Sequence, residues 1–202
     1  MKTAAKNKKI KTEPRKEVVI IAGANGSGKT TFARSYSTKY PLEFINADEA
    51  ARKINPGDMY SARLEAGRYF FKKFEELLQG NESFLVESTL AGQYLVKLIR
   101  RLKENGFFVK ILYLFLENPD ICIERIKERV LKGGHNVPEK DVIRRFYRSK
   151  KNFWNKYKNL ADVWFLVYNS EHLFTQVALG SQDDYVIDHR SLFNKFMQDI
   201  EE

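Results

Sequence analysis

Cysteine is nearly absent, and proline and histidine are scarce: one, five and three in 202 residues. Cys122 has no partner for an internal disulfide. Its neighbours Ile121 and Ile123 give it an apolar helical setting, which predicts a buried, inert thiol rather than a nucleophile. No His or Cys spacing matches a metal-ligand pattern; His172 and His189 show no partner pattern in the sequence, and His135 reads as a turn residue. No apolar run approaches the about 18 residues of a membrane span. No hydrophobic leader follows Met1, so the expectation is a cytoplasmic protein without a membrane role. There is no internal repeat, and low complexity is confined to the N-terminus.

Acidic residues are also in short supply, 26 against 35 Lys and Arg, for a formal net charge of +9. Such a balance invites a nucleic-acid partner, but its distribution argues otherwise. Lys2, Lys6, Lys8, Lys9, Lys11, Arg15 and Lys16 face Glu13 alone, so most of the excess lies in residues 1–16. These predict a basic, disordered tail. Residues 17–202 then form a single domain, and a chain that is 43% hydrophobic can bury a sizeable core.

What is present in strength is a phosphate-binding loop. Gly23, Ala24, Asn25, Gly26, Ser27, Gly28, Lys29 and Thr30 fit G-x-x-x-x-G-K-[ST], and Thr31 follows. Glycines let the backbone fold so that its N–H groups converge on phosphate oxygens, and the next helix adds the positive end of its dipole. Lys29 is expected at the β- and γ-phosphates of ATP and the Thr30 hydroxyl at Mg²⁺. The context agrees. Val18 to Ala22 reads as a buried strand, and a helix runs from Lys29 to Lys39, before Pro41.

Strand and helix patterns alternate thereafter. Strands are expected at 42–45, 83–86, 107–116 and 163–167, and a terminal hairpin from 174–178 and 185–187. Helices are expected at 61–79, around Leu95 to Leu102, from Pro119 to Lys132, from Pro138 onward, and around 192–200. This pattern predicts an α/β, P-loop NTPase-like three-layer α/β/α fold with a mostly parallel sheet. A helical lid at about 119–160 is expected, hinged at Gly133-Gly134-His135.

Ligands in such sheets lie at the carboxyl ends of the strands. Asp48, Glu87 and Glu117 fall there. Asp48 is the candidate general base for an attacking hydroxyl, or else the start of a short helix. Glu87 is the candidate for Mg²⁺ or substrate, or else a structural hydrogen-bond acceptor. Glu117 precedes Asn118, a helix cap, and is the weaker choice. Arg125, Arg129, Arg144, Arg145 and Arg148 form a cationic set suited to the charge of phosphoryl transfer, or else a solvated face.

Several segments together resemble the zeta-toxin-like P-loop kinases, in the bacterial branch labelled predicted ABC-type ATPases. They are Ile20 to Thr31, Phe44-Ile45-Asn46-Ala47-Asp48-Glu49, Glu87-Ser88-Thr89-Leu90, Gly133-Gly134-His135-Asn136-Val137-Pro138-Glu139 and Arg144-Arg145. The resemblance covers roughly residues 17–170. It implies a nucleoside-kinase-like fold with a helical lid, ATP and Mg²⁺, and transfer to the 3′-hydroxyl of UDP-N-acetylglucosamine. It also implies an antitoxin partner that blocks the nucleotide site. By similarity Asp48 is the base. Lys29 and the lid arginines would bind the triphosphate and Thr30 the metal; of the arginines, Arg129 and Arg144 are the catalytic candidates and Arg125, Arg145 and Arg148 the ATP-binding ones. Asn46, Glu87 and Thr89 face the substrate. One departure bears on that substrate: Ser88 stands where those kinases have Gly, and the next arginine is Arg100, well into a helix. The expectation is therefore an ATP-dependent kinase for a small hydroxyl compound. A polynucleotide or nucleoside kinase stays open, through aromatics Phe146, Phe153, Trp154 and Tyr157 among basic residues. So does an ATP-gated module without catalysis.

Overall fold

The computed structural model describes residues 15–59, 61–169 and 173–201. Residues 1–14, most of the expected tail, and His172 lie outside the described residues. Arg15 and Lys16, grouped with that tail on charge, lie over the rings of Phe108 and Phe107 at 3.9 and 4.7 Å.

The chain runs β1 (Glu17–Ala22), α1 (Lys29–Lys39), β2 (Glu43–Ile45), α2 (Ala47–Ile54), α3 (Arg63–Gln79), β3 (Phe84–Ser88), α4 (Tyr94–Glu104), β4 (Phe108–Phe115), α5 (Pro119–Leu131) and α6 (Glu139–Asn152). A π-helical turn (Phe153–Tyr157), β5 (Val163–Asn169), β6 (Phe174–Ser181), β7 (Asp184–Ile187) and α7 (Arg190–Glu201) complete it. The sheet order is β2-β3-β1-β4-β5-β6-β7. The first five are parallel, and β6 and β7 return antiparallel. This is the expected α/β fold of the P-loop nucleoside-kinase-like kind, with the hairpin at one edge.

Strand periodicity explains the layers. Successive side chains alternate faces, so Val19 and Ile21 join Leu85, Leu112 and Leu114 under Ala33 of α1. Val18, Ile20 and Ala22 point the other way, into the larger core with Phe74 of α3, Ile99 of α4 and Phe196 of α7. β1 lies centrally, with β3 and β4 on its two sides. The chain leaves β1 toward one edge and later returns to the other, which opens a crevice at the carboxyl ends of these strands.

α5 and α6 form their own small cluster: Cys122, Ile126, Val137, Val142 and Phe146 pack with Ala24 and Leu116. Burial of Cys122 pushes its thiol up to about 11, in keeping with an inert role. Tyr113 stacks on Phe153 at 4.4 Å between ring centroids. The aromatics that suggested strand-tracking are mostly core: Phe146, Phe153 and Tyr157 are buried, and Trp154 packs against Trp164.

Candidate active site

The phosphate loop joins β1 to α1 as expected. Gly26 and Gly28 adopt φ of +83° and +90°. Added Cβ atoms there would meet the Cys122 carbonyl oxygen at 2.5 Å and Asn169 Nδ2 at 2.3 Å. Only glycine fits such close approaches. Inside the loop, Ser27 Oγ is buried and has no hydrogen-bond partner among the described residues. An orphaned buried hydroxyl in a loop of converging N–H groups fits a phosphate ligand.

Lys29 is buried, and its Nζ donates to the Ala24 carbonyl at 2.8 Å. Glu87 Oε1 stands 4.0 Å away. Burial lowers the Lys29 pKa, against the pull of Glu87 and Asp48. The ammonium is thus held at the loop with little water to solvate it, ready for anionic oxygens.

Glu87 lies within β3, not after it, because the strand continues to Ser88. Its pleat decides its partners. Leu85 and Glu87 share the face covered by α1, and Thr30 of α1 donates to Glu87 at 2.9 and 3.2 Å to the two carboxylate oxygens. Ser88 points oppositely, where its hydroxyl lies 3.4 Å from that of Tyr94 on α4. Burial raises the Glu87 pKa, while Lys29 and Thr30 oppose the rise. Thr30 and Glu87 supply the hard oxygens that suit Mg²⁺, an ion that takes few protein ligands beside phosphate and water. The residues present therefore fit the expected metal.

Asn46 works through both ends of its amide. Its Oδ1 accepts from the backbone N–H groups of Asp48 and Glu49 at 2.8 and 3.3 Å, capping α2, and its Nδ2 donates to Glu87 at 2.8 Å. The short helix offered as the alternative for Asp48 does form. Because Asn46 is its cap, the Asp48 carboxylate makes no hydrogen bond or close ion pair among the described residues. It lines the cleft instead.

That cleft has a volume of about 310 Å³. Lys29, Asn46, Asp48, Glu87, Ser88, Thr89, Tyr94, Arg144, Arg145 and Arg148 contribute to its walls. Of the arginines, Arg145 Nη1 donates to Asn25 Oδ1 in the phosphate loop at 3.3 Å. Arg144 is paired with Asp141 at 2.7 Å. Arg125 and Arg129 are not among the residues lining the cleft, although Arg129 feels the charges of Asp48 and Glu87. Arg125 Nη2 donates to the Asn169 carbonyl at 3.4 Å, and Arg129 Nη2 to the His135 carbonyl at 2.6 Å. Their chain direction on α5 turns them toward β5 and toward the α5–α6 turn. Glu117 is bonded to Lys195 at 2.8 Å, a contact that links the end of β4 to α7. Thr31 is exposed on α1.

Asn169 escaped the sequence reading. It ends β5, is buried, and donates its Nδ2 to the Ser27 carbonyl at 2.8 Å, bracing the loop from across the sheet. Its sole signal was a polar residue at a strand's carboxyl end. Tyr94 was likewise not expected in the cleft.

Residues 18–153 match the AAA domain family. An uncharacterized protein of Haemophilus influenzae is 34% identical over 131 residues, covering 65% of this chain and 92% of that protein. Among solved structures, a chain of the AvrRxo1-ORF1:AvrRxo1-ORF2 complex with ATP has a TM-score of 0.70 at 16% identity. The match covers 91% of this chain but 64% of that longer one. A chain of the PezAT toxin-antitoxin system of Streptococcus pneumoniae has a TM-score of 0.59 at 15% identity, over 82% of this chain and 72% of that one. At these identities the structures speak for the fold alone. No described helix is long and apolar enough to cross a membrane. The chain belongs to the AAA domain family and has the nucleotide-binding, kinase-like P-loop fold.

Proposed function

We propose that the protein is an ATP- and Mg²⁺-dependent phosphotransferase acting on a hydroxyl of a small molecule, in the manner of the zeta toxins. UDP-N-acetylglucosamine and related sugar nucleotides are the acceptors to try first. One observation carries the reading: the Asp48 carboxylate, without a hydrogen-bond partner among the described residues, shares a cleft with Lys29 and Arg145. A nucleotide switch has little need of a base at that point.

In this reading Lys29 and the loop N–H groups hold the β- and γ-phosphates, and Arg145 and Arg144 face the transferred group. Asp48 accepts the proton of the acceptor hydroxyl. That oxygen forms the new bond to the γ-phosphorus, the bond to the β–γ bridging oxygen breaks, and the electron pair leaves with ADP. Thr30 and Glu87 would hold Mg²⁺, which neutralises phosphate charge when bound. Asn46 orients Asp48 and Glu87 together through its two amide atoms. Thr89 faces the acceptor. The chemistry belongs in the cytoplasm, where ATP is abundant. An antitoxin-like partner is part of the proposal, supported by the two-protein systems in which similarly folded chains occur.

The test is incubation with ATP and Mg²⁺ against a sugar-nucleotide library, read by mass. A gain of one phosphate with wild type, lost in Asp48→Asn, is the expected result. ATP binding without any phosphorylated product in the library, and with Asp48→Asn indistinguishable from wild type, would sink the reading.

A further inference from the structure

Resting on the phosphotransferase reading, we infer that Arg148 binds an anionic group of the acceptor, phosphate or carboxylate, whereas Arg145 serves the triphosphate. Helix α6 crosses the cleft from one half of the site to the other, and its contacts mark which half each turn faces. Arg145 donates to Asn25 of the phosphate loop. Four residues on, Ser149 Oγ donates to the Thr89 carbonyl, and Asn152 Nδ2 donates to the Leu90 carbonyl at 2.8 Å. Tyr157, in the π-helical turn, donates to the Gly92 carbonyl at 2.7 Å. The segment from Thr89 to Gly92 forms the far wall of the cleft, beyond the phosphate loop. Arg148 lines the same cleft and sits about 4.5 Å further along the helix axis than Arg145, on the side of Ser149 and Asn152.

Its charge is free to act there. Arg144 and Arg145 both lie against Asp141, at 2.7 and 3.9 Å. Arg148 makes no hydrogen bond or ion pair among the described residues, yet it lines the cleft. Nothing on the facing wall neutralises it. The carbonyls of Thr89, Leu90 and Gly92 each already accept one hydrogen bond, from Ser149, Asn152 and Tyr157. Of the two carboxylates in the cleft, Glu87 is committed to Thr30, Asn46 and Lys29. Asp48 is the base. A guanidinium that lines the cleft without a carboxylate partner among the described residues favours an anion over a neutral polyol.

The experiment compares matched acceptors with ATP and Mg²⁺: N-acetylglucosamine with its 1-phosphate and its UDP ester, uridine with UMP, and glucose with gluconate. Phosphorylated product is measured by mass, and KM for acceptor and for ATP are determined separately. The expected result is preference for the anionic member of a pair. Arg148→Gln should then raise the acceptor KM about tenfold or more, with ATP KM moving less than twofold. Arg148→Lys should recover part of the loss, and Arg145→Gln should raise ATP KM instead. The phosphate and carboxylate members separate the two sources of charge. Equal use of neutral and anionic members overturns the inference and leaves the kinase reading standing. So does an Arg148→Gln effect on ATP KM alone. No transfer to any member overturns the kinase reading and this inference with it.

Discussion

Thr30 Oγ1 donates to Glu87 Oε2 across 2.9 Å, between residues 57 positions apart in the chain. The contact couples the first turn of α1 to the end of β3 and brings together the two oxygens that suit a magnesium ion. Replacing the carboxylate by an amide keeps the shape and removes the charge. Glu87→Gln is expected to reduce Mg²⁺ affinity or turnover about 10- to 100-fold. Titration of activity with Mg²⁺ checks this, and an unchanged metal dependence rejects the role.

The same carboxyl makes a pH prediction. Burial is the largest influence on Glu87 and holds its pKa above the ordinary 4.5. The folded protein therefore keeps this proton more tightly than the unfolded chain. Its contribution to stability is complete below that ordinary value and is lost as pH rises through the folded pKa. Wild type without ligands should lose Tm relative to Glu87→Gln over that interval. A Tm difference that stays constant across about pH 4–8 counts against it.

Asp48→Asn removes the base without disturbing the cap of α2, which belongs to Asn46. Turnover on any accepted hydroxyl compound should fall about 10²- to 10⁴-fold. ATP affinity, measured by calorimetry, should hardly change. A variant that transfers phosphate as fast as wild type ends the assignment.

Lys150 is 1% exposed, pairs with Asp199 of α7, and lies 4.3 Å from the Phe146 ring centroid. Burial lowers its pKa, against the pull of Asp199. Removing one partner strands a buried charge. Asp199→Ala should therefore cost about 3 kcal/mol or more, measured by urea unfolding, and the double variant with Lys150→Met should recover most of it. Equal losses in the single and double variants would mean that packing, not charge, is at stake.

The phosphate loop was legible because its chemistry is local: eight consecutive residues, Gly23 to Thr30, specify a backbone path and a ligand. The strands were legible because Val18 to Ala22 and the run before Leu116 are apolar on both faces, as buried parallel strands must be. Most element ends moved by a residue or two, as where β3 continued to include Glu87, and β6 ran on by three to Ser181. The arginines of α5 and α6 were harder. All five look alike in sequence, yet Arg125 and Arg129 bond to carbonyls outside the cleft while Arg144, Arg145 and Arg148 line it.

The sequence by itself determined a triphosphate loop on a parallel sheet and a carboxylate at the end of each neighbouring strand. These follow from periodicity and from motifs read within a few residues. Tertiary structure decided which of those groups meet. Asn169 braces Ser27 from 142 residues away because β5 lies two strands from β1 in the sheet. Ser149, Asn152 and Tyr157 hold the far wall of the cleft because α6 and the π-helical turn cross it. The pleat of β3 sends Glu87 to Thr30 and Ser88 to Tyr94. Such contacts depend on strand order and on side-chain direction, and neither is written in any short stretch of the chain.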